Sequence, residues 1–213
     1  GFNSEGYPSQ VWQEENSIIL AQSYGYTIQG WRNSIEDAYD KETTLSYDSV
    51  GHITSMIAPP PSLGGTSYEK EWTYSPSNDV NGLLTQEREK VTSSVWATTS
   101  YQYNDQNSSC QPSHITNPLN ETTVVSYTPE GFVSTVTVPT TNGTKGMSYS
   151  YSAFTKALTS MIDFGGNESQ FSYKTSGLID VYTTWEGLST SGRKLSEIAH
   201  SFNPTQLLIG TTD

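Results

Sequence analysis

Apolar and aromatic residues recur along this chain in pairs two positions apart: Tyr24 and Tyr26, Leu45 and Tyr47, Trp72 and Tyr74, Tyr101 and Tyr103, Val125 and Tyr127, Tyr149 and Tyr151, Phe171 and Tyr173. Alternate residues of a strand share a face, so each pair marks the end of an incoming β-strand. A short polar stretch and then a glycine follow in most copies, giving aromatic-x-x-x-Gly at Phe2 to Gly6, Tyr26 to Gly30, Tyr47 to Gly51, Tyr127 to Gly131 and Tyr173 to Gly177. That stretch has the chemistry of a tight hairpin loop. Side chains such as Asp48 or Asn104 can accept bonds from backbone amides, and glycine takes positive φ without a steric cost, as expected at Gly51, Gly131 and Gly177.

After the glycine the apolar spacing changes to three, as in Ile53 and Met56, Val133 and Val136, Leu158 and Met161, and Ile179 and Tyr182. This fits an outgoing strand that is bulged, strongly twisted or two-sided. Turn formers then interrupt the pattern at Asp37, Ala58-Pro59-Pro60-Pro61, Asn117-Pro118, Val138-Pro139 and Asp163-Phe164-Gly165-Gly166-Asn167, which predicts a looser return. Copies start at 2, 26, 47, 74, 103, 127, 151, 173 and 202. The copy at Tyr151 lacks the glycine; at Tyr74 the glycine is delayed to Gly82; Cys110-Gln111-Pro112 and Gln206 replace it in the copies at Tyr103 and Phe202. Residues 1–213 are therefore expected to form a single all-β array of tandem antiparallel β-hairpins. With the aromatic pairs on a packed side, Tyr149→Ala or Tyr151→Ala would cost roughly 3 to 5 kcal/mol.

Tyr47-Asp48-Ser49-Val50-Gly51-His52-Ile53 resembles the repeat of the Rhs/YD family, which centres on Tyr-Asp-x-x-Gly. The segment from Asp163 to Tyr173 resembles that family's return turn, with Phe164 where proline is usual. The resemblance covers nearly the whole chain, with Tyr26, Gly30, Tyr47, Asp48, Gly51, Tyr127, Gly131, Tyr151, Tyr173 and Gly177 as its structural repeat residues. It implies a curved or spiralling sheet that forms part of a hollow shell, as in bacterial polymorphic toxins, insecticidal toxin complexes and teneurins. In the toxins such a shell encloses a toxic segment, which makes an enclosed toxin a partner to expect. The paired Asp-Pro-x-Gly motifs of the family's self-cleavage region do not occur in this sequence.

Composition agrees with strands: 14 Tyr, 5 Trp and 6 Phe stand among many Ser and Thr. The formal charge of −12 repels phosphate backbones and anionic lipid, so nucleic acid is not an expected partner. The one cysteine, Cys110, excludes an intrachain disulfide, and no apolar run is long enough for a membrane helix. A secreted or surface-displayed location follows from the resemblance.

Candidate chemistry is sparse. Glu69, Glu71, Glu87 and Glu89 are the best pairs for a glycosidase, but they alternate along strands as a solvated face would. Asp37, Asp40 and Glu42 match no EF-hand spacing. His52, His114 and His200 are scattered, and neither a zinc-protease motif nor a nucleophile elbow occurs, so no metal, cofactor or catalytic residue is expected. Four sequons, at Asn107, Asn120, Asn142 and Asn167, are chance matches in a chain this rich in Asn, Ser and Thr.

The competing expectation is a carbohydrate-binding or adhesive module. Its sugar-stacking residues would be Trp31, Trp96 and Trp185, which fall outside the repeated pairs. Phe2 already occupies a repeat position and neither end carries a recognisable cap, so the chain is expected to be a fragment. Its open sheet edges would then pair with the remainder of a parent shell or with another copy.

Overall fold

The computed structural model describes residues 1–15, 18–60, 65–75, 82–202 and 208–212. Contacts divide the chain into two compact units, Gly1–Tyr101 and Gln102–Asp213. Every regular element among the described residues is a strand. The first eight are β1 Gln10–Glu15, β2 Ile18–Tyr26, β3 Arg32–Glu36, β4 Glu42–Tyr47, β5 Ile53–Ala58, β6 Tyr68–Tyr74, β7 Leu84–Lys90 and β8 Trp96–Gln102. Then come β9 His114–Thr116, β10 Thr122–Tyr127, β11 Val133–Thr140, β12 Gly143–Tyr151, β13 Leu158–Ile162, β14 Glu168–Tyr173, β15 Ile179–Glu186, β16 Arg193–Phe202 and β17 Leu208–Thr212. From β1 to β8, and again from β9 to β17, each strand pairs antiparallel with the next. The chain is all-β, built of tandem hairpins.

The register explains why apolar spacing changes from two to three within each hairpin. Leu45 faces Met56 and Tyr47 faces Ile53; Val125 faces Val136 and Tyr127 faces Val133; Tyr149 faces Met161 and Tyr151 faces Leu158; Phe171 faces Tyr182 and Tyr173 faces Ile179. In each case the outgoing strand carries one extra residue, Thr54, Ser134, Thr159 or Asp180, so the spacing of three is a β-bulge. The bulge realigns the two strands so that both apolar pairs remain on one face. In two hairpins the bulged threonine hydroxyl also donates back across the ladder, Thr85 to the Thr73 carbonyl and Thr159 to the Ser150 carbonyl.

The turns at Gly6, Gly30, Gly51, Gly131 and Gly177 are three-residue loops closed by the same two bonds. Gly30 N–H reaches the Thr27 carbonyl and Thr27 N–H the Trp31 carbonyl; Gly131 and Thr128, and Gly177 and Lys174, repeat the arrangement. The expected positive φ is found, at 100° for Gly51, 84° for Gly131 and 85° for Gly177. In the glycine-less copy Lys156 takes that slot at 59°, one residue late. A β-carbon on Gly131 would meet nothing within 4 Å. Gly131→Ala is therefore expected to cost only the left-handed backbone conformation, about 1 to 2 kcal/mol, read as a shift in urea midpoint.

Two expectations need correction. The return turns at Asp37, Asn117 and Asp163 are as tight as the glycine turns, with Asp40, Asn120 and Gly166 in the left-handed slot and the first side chain accepting two backbone N–H bonds. Asp and Asn tolerate that conformation, so two of these turns need no glycine. Val138-Pro139 is no break at all: both residues lie in β11, opposite Lys145 and Thr144. Pro139 lies past the last register pair with β10, Val124 with Thr137, where a missing N–H removes no ladder bond on that side.

The register also sorts the side chains onto two faces. One carries the aromatic pairs with Val136, Met147, Met161 and Ile198; the other carries rows such as Ser150, Ser160, Gln170, Thr183 and Glu197. Tyr127, at 7% exposure, is the one buried large apolar residue among those described. Tyr149 and Tyr151 are half-buried. The expected packed side is therefore only a half-covered face. Truncating those two tyrosines would cost less than full burial implies. What holds the sheet is the ladder itself and cross-strand pairs, each contributing roughly 0.2 to 1 kcal/mol.

Candidate functional site

The repeat residues converge on one recurring contact between successive hairpins. The tyrosine that ends an incoming strand donates its hydroxyl to a backbone carbonyl of the preceding hairpin: Tyr26 to Pro8 (2.8 Å), Tyr47 to Arg32 (2.5 Å), Tyr127 to Pro112 (2.9 Å), Tyr151 to Val133 (2.9 Å) and Tyr173 to Leu158 (2.8 Å). In four of the five the acceptor stands two residues after the left-handed turn residue, Gly6, Gly30, Gly131 or Lys156. The bulge and the turn together set that distance.

A ring contact accompanies the bond at Tyr26, Tyr47 and Tyr151, and a fourth is made by Tyr74. Tyr26 stacks on Tyr7 at 5.1 Å, Tyr47 leans on Trp31 at 5.4 Å, Tyr74 stacks on His52 at 4.6 Å and Tyr151 stacks on Phe132 at 5.1 Å. Tyr7, Trp31, His52 and Phe132 occupy one place, the position after the turn glycine or, for His52, after Gly51 of the Tyr-Asp copy. Sequence reasoning missed this position, although an aromatic there in four copies was a readable signal. Such offset or tilted ring pairs add about 0.5 to 1.5 kcal/mol beyond buried area.

Asp48 caps its own turn, with Oδ1 accepting N–H from Val50, Gly51 and His52 and Oδ2 lying 2.8 Å from His52 Nδ1. Burial opposes ionisation of Asp48, but the imidazole and the three backbone donors outweigh it and lower its pKa to about 2. Glu168 is lowered to about 2 as well, chiefly by the Ser189 backbone N–H at 2.8 Å, against burial, and then by Gln170, Ser189 and Ser160. Both values lie below the ordinary 3.8 and 4.5 of the unfolded carboxyls. Their contribution to stability is thus complete above those values and lost as pH falls toward about 2. The urea midpoint is expected to hold from neutral pH to about 5 and to fall below about 4.5, and Glu168→Gln should flatten part of that fall. A midpoint unchanged down to pH 2 would contradict this assignment.

The remaining candidates are taken up by local contacts. Trp96 lies under Arg88 (4.6 Å) and Lys90 (5.8 Å), whose charges pair with Glu71 and Glu69. Glu87 pairs with Lys70 at 3.1 Å and accepts the Tyr101 hydroxyl at 2.8 Å. The register places Glu69 and Glu71 on one face and Glu87 and Glu89 on the other, so the four do not form one cleft. Trp185 sits in β15 opposite Glu168 and Lys194, with a buried indole N–H that has no partner among the described residues. Asp37 caps a turn and Asp40 closes it, while Glu42 faces Glu36. His114 Nδ1 lies 3.1 Å from Ser113 Oγ, and His200 faces Thr211 in the ladder. Among the described residues no three His, Cys, Asp or Glu cluster in a way that could hold a metal. Of the sequon asparagines, Asn107 and Asn167 spend their amide nitrogens on Tyr127 O and Asp163 Oδ2, whereas Asn120 and Asn142 are exposed at turns.

This hairpin array has counterparts among solved structures. Crystal structures of TcdB2-TccC3-Cdc42, of TcdB2-TccC3 without its hypervariable C-terminal region and of TcdB2-TccC3-TEV match with TM-scores of 0.54, 0.54 and 0.53. The likeness is one of fold. Sequence identity is 12%, 12% and 11%, and the match covers 96% of this chain but only 12% of each of those. No family model matches the sequence, and no curated protein does.

Proposed function

We propose that residues 1–213 are a single array of nine Rhs/YD-type hairpin repeats that forms part of the wall of a secreted or surface-displayed shell enclosing a toxin or other cargo. The role is mechanical and no residue performs catalysis. The observation that carries this reading is the set of tyrosine bonds that join five of the hairpins to the one before, in a hairpin array whose fold matches part of TcdB2-TccC3. A wall of this kind needs neighbour-to-neighbour bonding more than a central core. Its edge strands would pair with further repeats of the parent shell.

Support for a carbohydrate-binding module through Trp31, Trp96 and Trp185 is weaker, since Trp96 is overlain by two cations and Trp185 stands within the ladder opposite Glu168 and Lys194. Limited proteolysis of the full-length gene product tests the shell. Under the proposal an internal segment survives trypsin while the wall is intact and is digested once the wall is opened by mild denaturant. Digestion of every other segment at the same rate with and without denaturant would refute it.

A further inference from the structure

The first unit carries two clefts along the edge formed by its glycine turns. One, of about 440 Å³, lies between the turns at Asn3–Gly6 and Thr27–Gly30 and is walled by Tyr7, Tyr24 and Tyr26. The second, of about 310 Å³, lies between the turns at Thr27–Gly30 and Asp48–Gly51 and is walled by Trp31 and Tyr47. Thr27 and Gln29 border both. The clefts therefore repeat with the hairpin, at two strand spacings or about 9.5 Å.

A polyproline II helix advances about 9.3 Å for each turn of three residues. We propose that this edge binds a proline-rich segment in that conformation, with one turn of the ligand seated in each cleft.

The side chains suit that ligand. Proline rings pack on flat aromatic walls, and the polyproline backbone has no internal hydrogen bonds, so its carbonyls are open to donors. Among the described residues the Trp31 indole N–H and the Gln29 amide hold no hydrogen bond, which leaves one donor in the second cleft and one on the wall between the two. Ile28, at the lip of the first cleft, is fully exposed and supports nothing in the hairpin, yet stands where an apolar ligand would touch it. Glu5 in the first cleft and the charge of −12 favour basic residues beside the prolines. This site is independent of the shell reading, because it needs only three adjacent hairpins in register.

Fluorescence anisotropy with the 213-residue chain tests it. The probe is a labelled peptide of about ten prolines between two arginines, long enough to span both clefts, and the control replaces the prolines by glycine and serine. The proline peptide should bind saturably and the control should not. Trp31→Ala should weaken binding about tenfold, as for one aromatic anchor of a small interface. Because Trp31 also leans on Tyr47, Gln29→Ala serves as the second variant: it should weaken binding several-fold with an unchanged urea midpoint. Absence of saturable binding, equal binding of both peptides, or affinity indifferent to both substitutions overturns the proposal. So does saturable binding of a chito-oligosaccharide with none of the proline peptide, which would make the clefts sugar sites.

Discussion

Tyr127→Ala is expected to cost roughly 3 to 5 kcal/mol, the range for truncating a buried large aromatic, and to be among the most damaging single truncations of a repeat tyrosine. Three bonds meet at this residue: its hydroxyl donates to Pro112 O, its backbone N–H reaches Asp105, and its carbonyl accepts from the Asn107 side chain. The copy that begins at Tyr103 has no glycine turn, and the loop from Asn104 to Pro112 folds back on the next hairpin through Tyr127 instead. Tyr127→Phe separates the two contributions. It keeps the ring and leaves the Pro112 carbonyl unpaired, and should cost about 1 kcal/mol. Equilibrium urea unfolding followed by hydrogen exchange in β9 to β11 measures both. A loss for Tyr127→Ala no greater than that for the half-buried Tyr149→Ala would contradict the account.

Gly30→Ala is the second large effect expected, at roughly 1.5 to 3.5 kcal/mol. The φ of 84° costs an L-residue about 1 to 2 kcal/mol, as at Gly131. Unlike Gly131, this position also has a neighbour, since a β-carbon would collide with the ring tip and hydroxyl of Tyr7. Tyr7 can turn away, but only by giving up its stack on Tyr26, worth about 0.5 to 1.5 kcal/mol. Comparing urea midpoints of Gly30→Ala and Gly131→Ala isolates the contact from the backbone strain. Equal losses would show that the stack between the first two hairpins contributes nothing.

The repeat was legible in the sequence because two local rules leave marks that do not depend on tertiary context: alternation of apolar residues and glycine at a left-handed turn. The switch from a spacing of two at Leu45 and Tyr47 to three at Ile53 and Met56 even encodes the bulge, although a strong twist or a two-sided strand would leave the same mark. Return turns were harder to read. Asp40 and Asn120 adopt the left-handed slot without glycine, so their tightness has no compositional sign. Pro139 looked like a break because proline's cost depends on whether its neighbour strand still reaches it, which is a property of register. The joint between hairpins was half-visible: the tyrosines were singled out, but of their partners Tyr7 and Phe132 were not, and Trp31 and His52 were weighed only for sugar stacking and metal chemistry. Burial was not readable, because amphipathic alternation announces a covered face, and here the aromatic face is only half-covered.

Cryo-electron microscopy of the full-length gene product tests the central claim most directly. If the account holds, the strands of these 213 residues will be seen in the wall of a closed hollow particle, each hairpin joined to its neighbours through the tyrosine contacts, with cargo density inside. A map in which the same strands form a solid, two-layered domain, or a sheet that bounds no lumen, would contradict it.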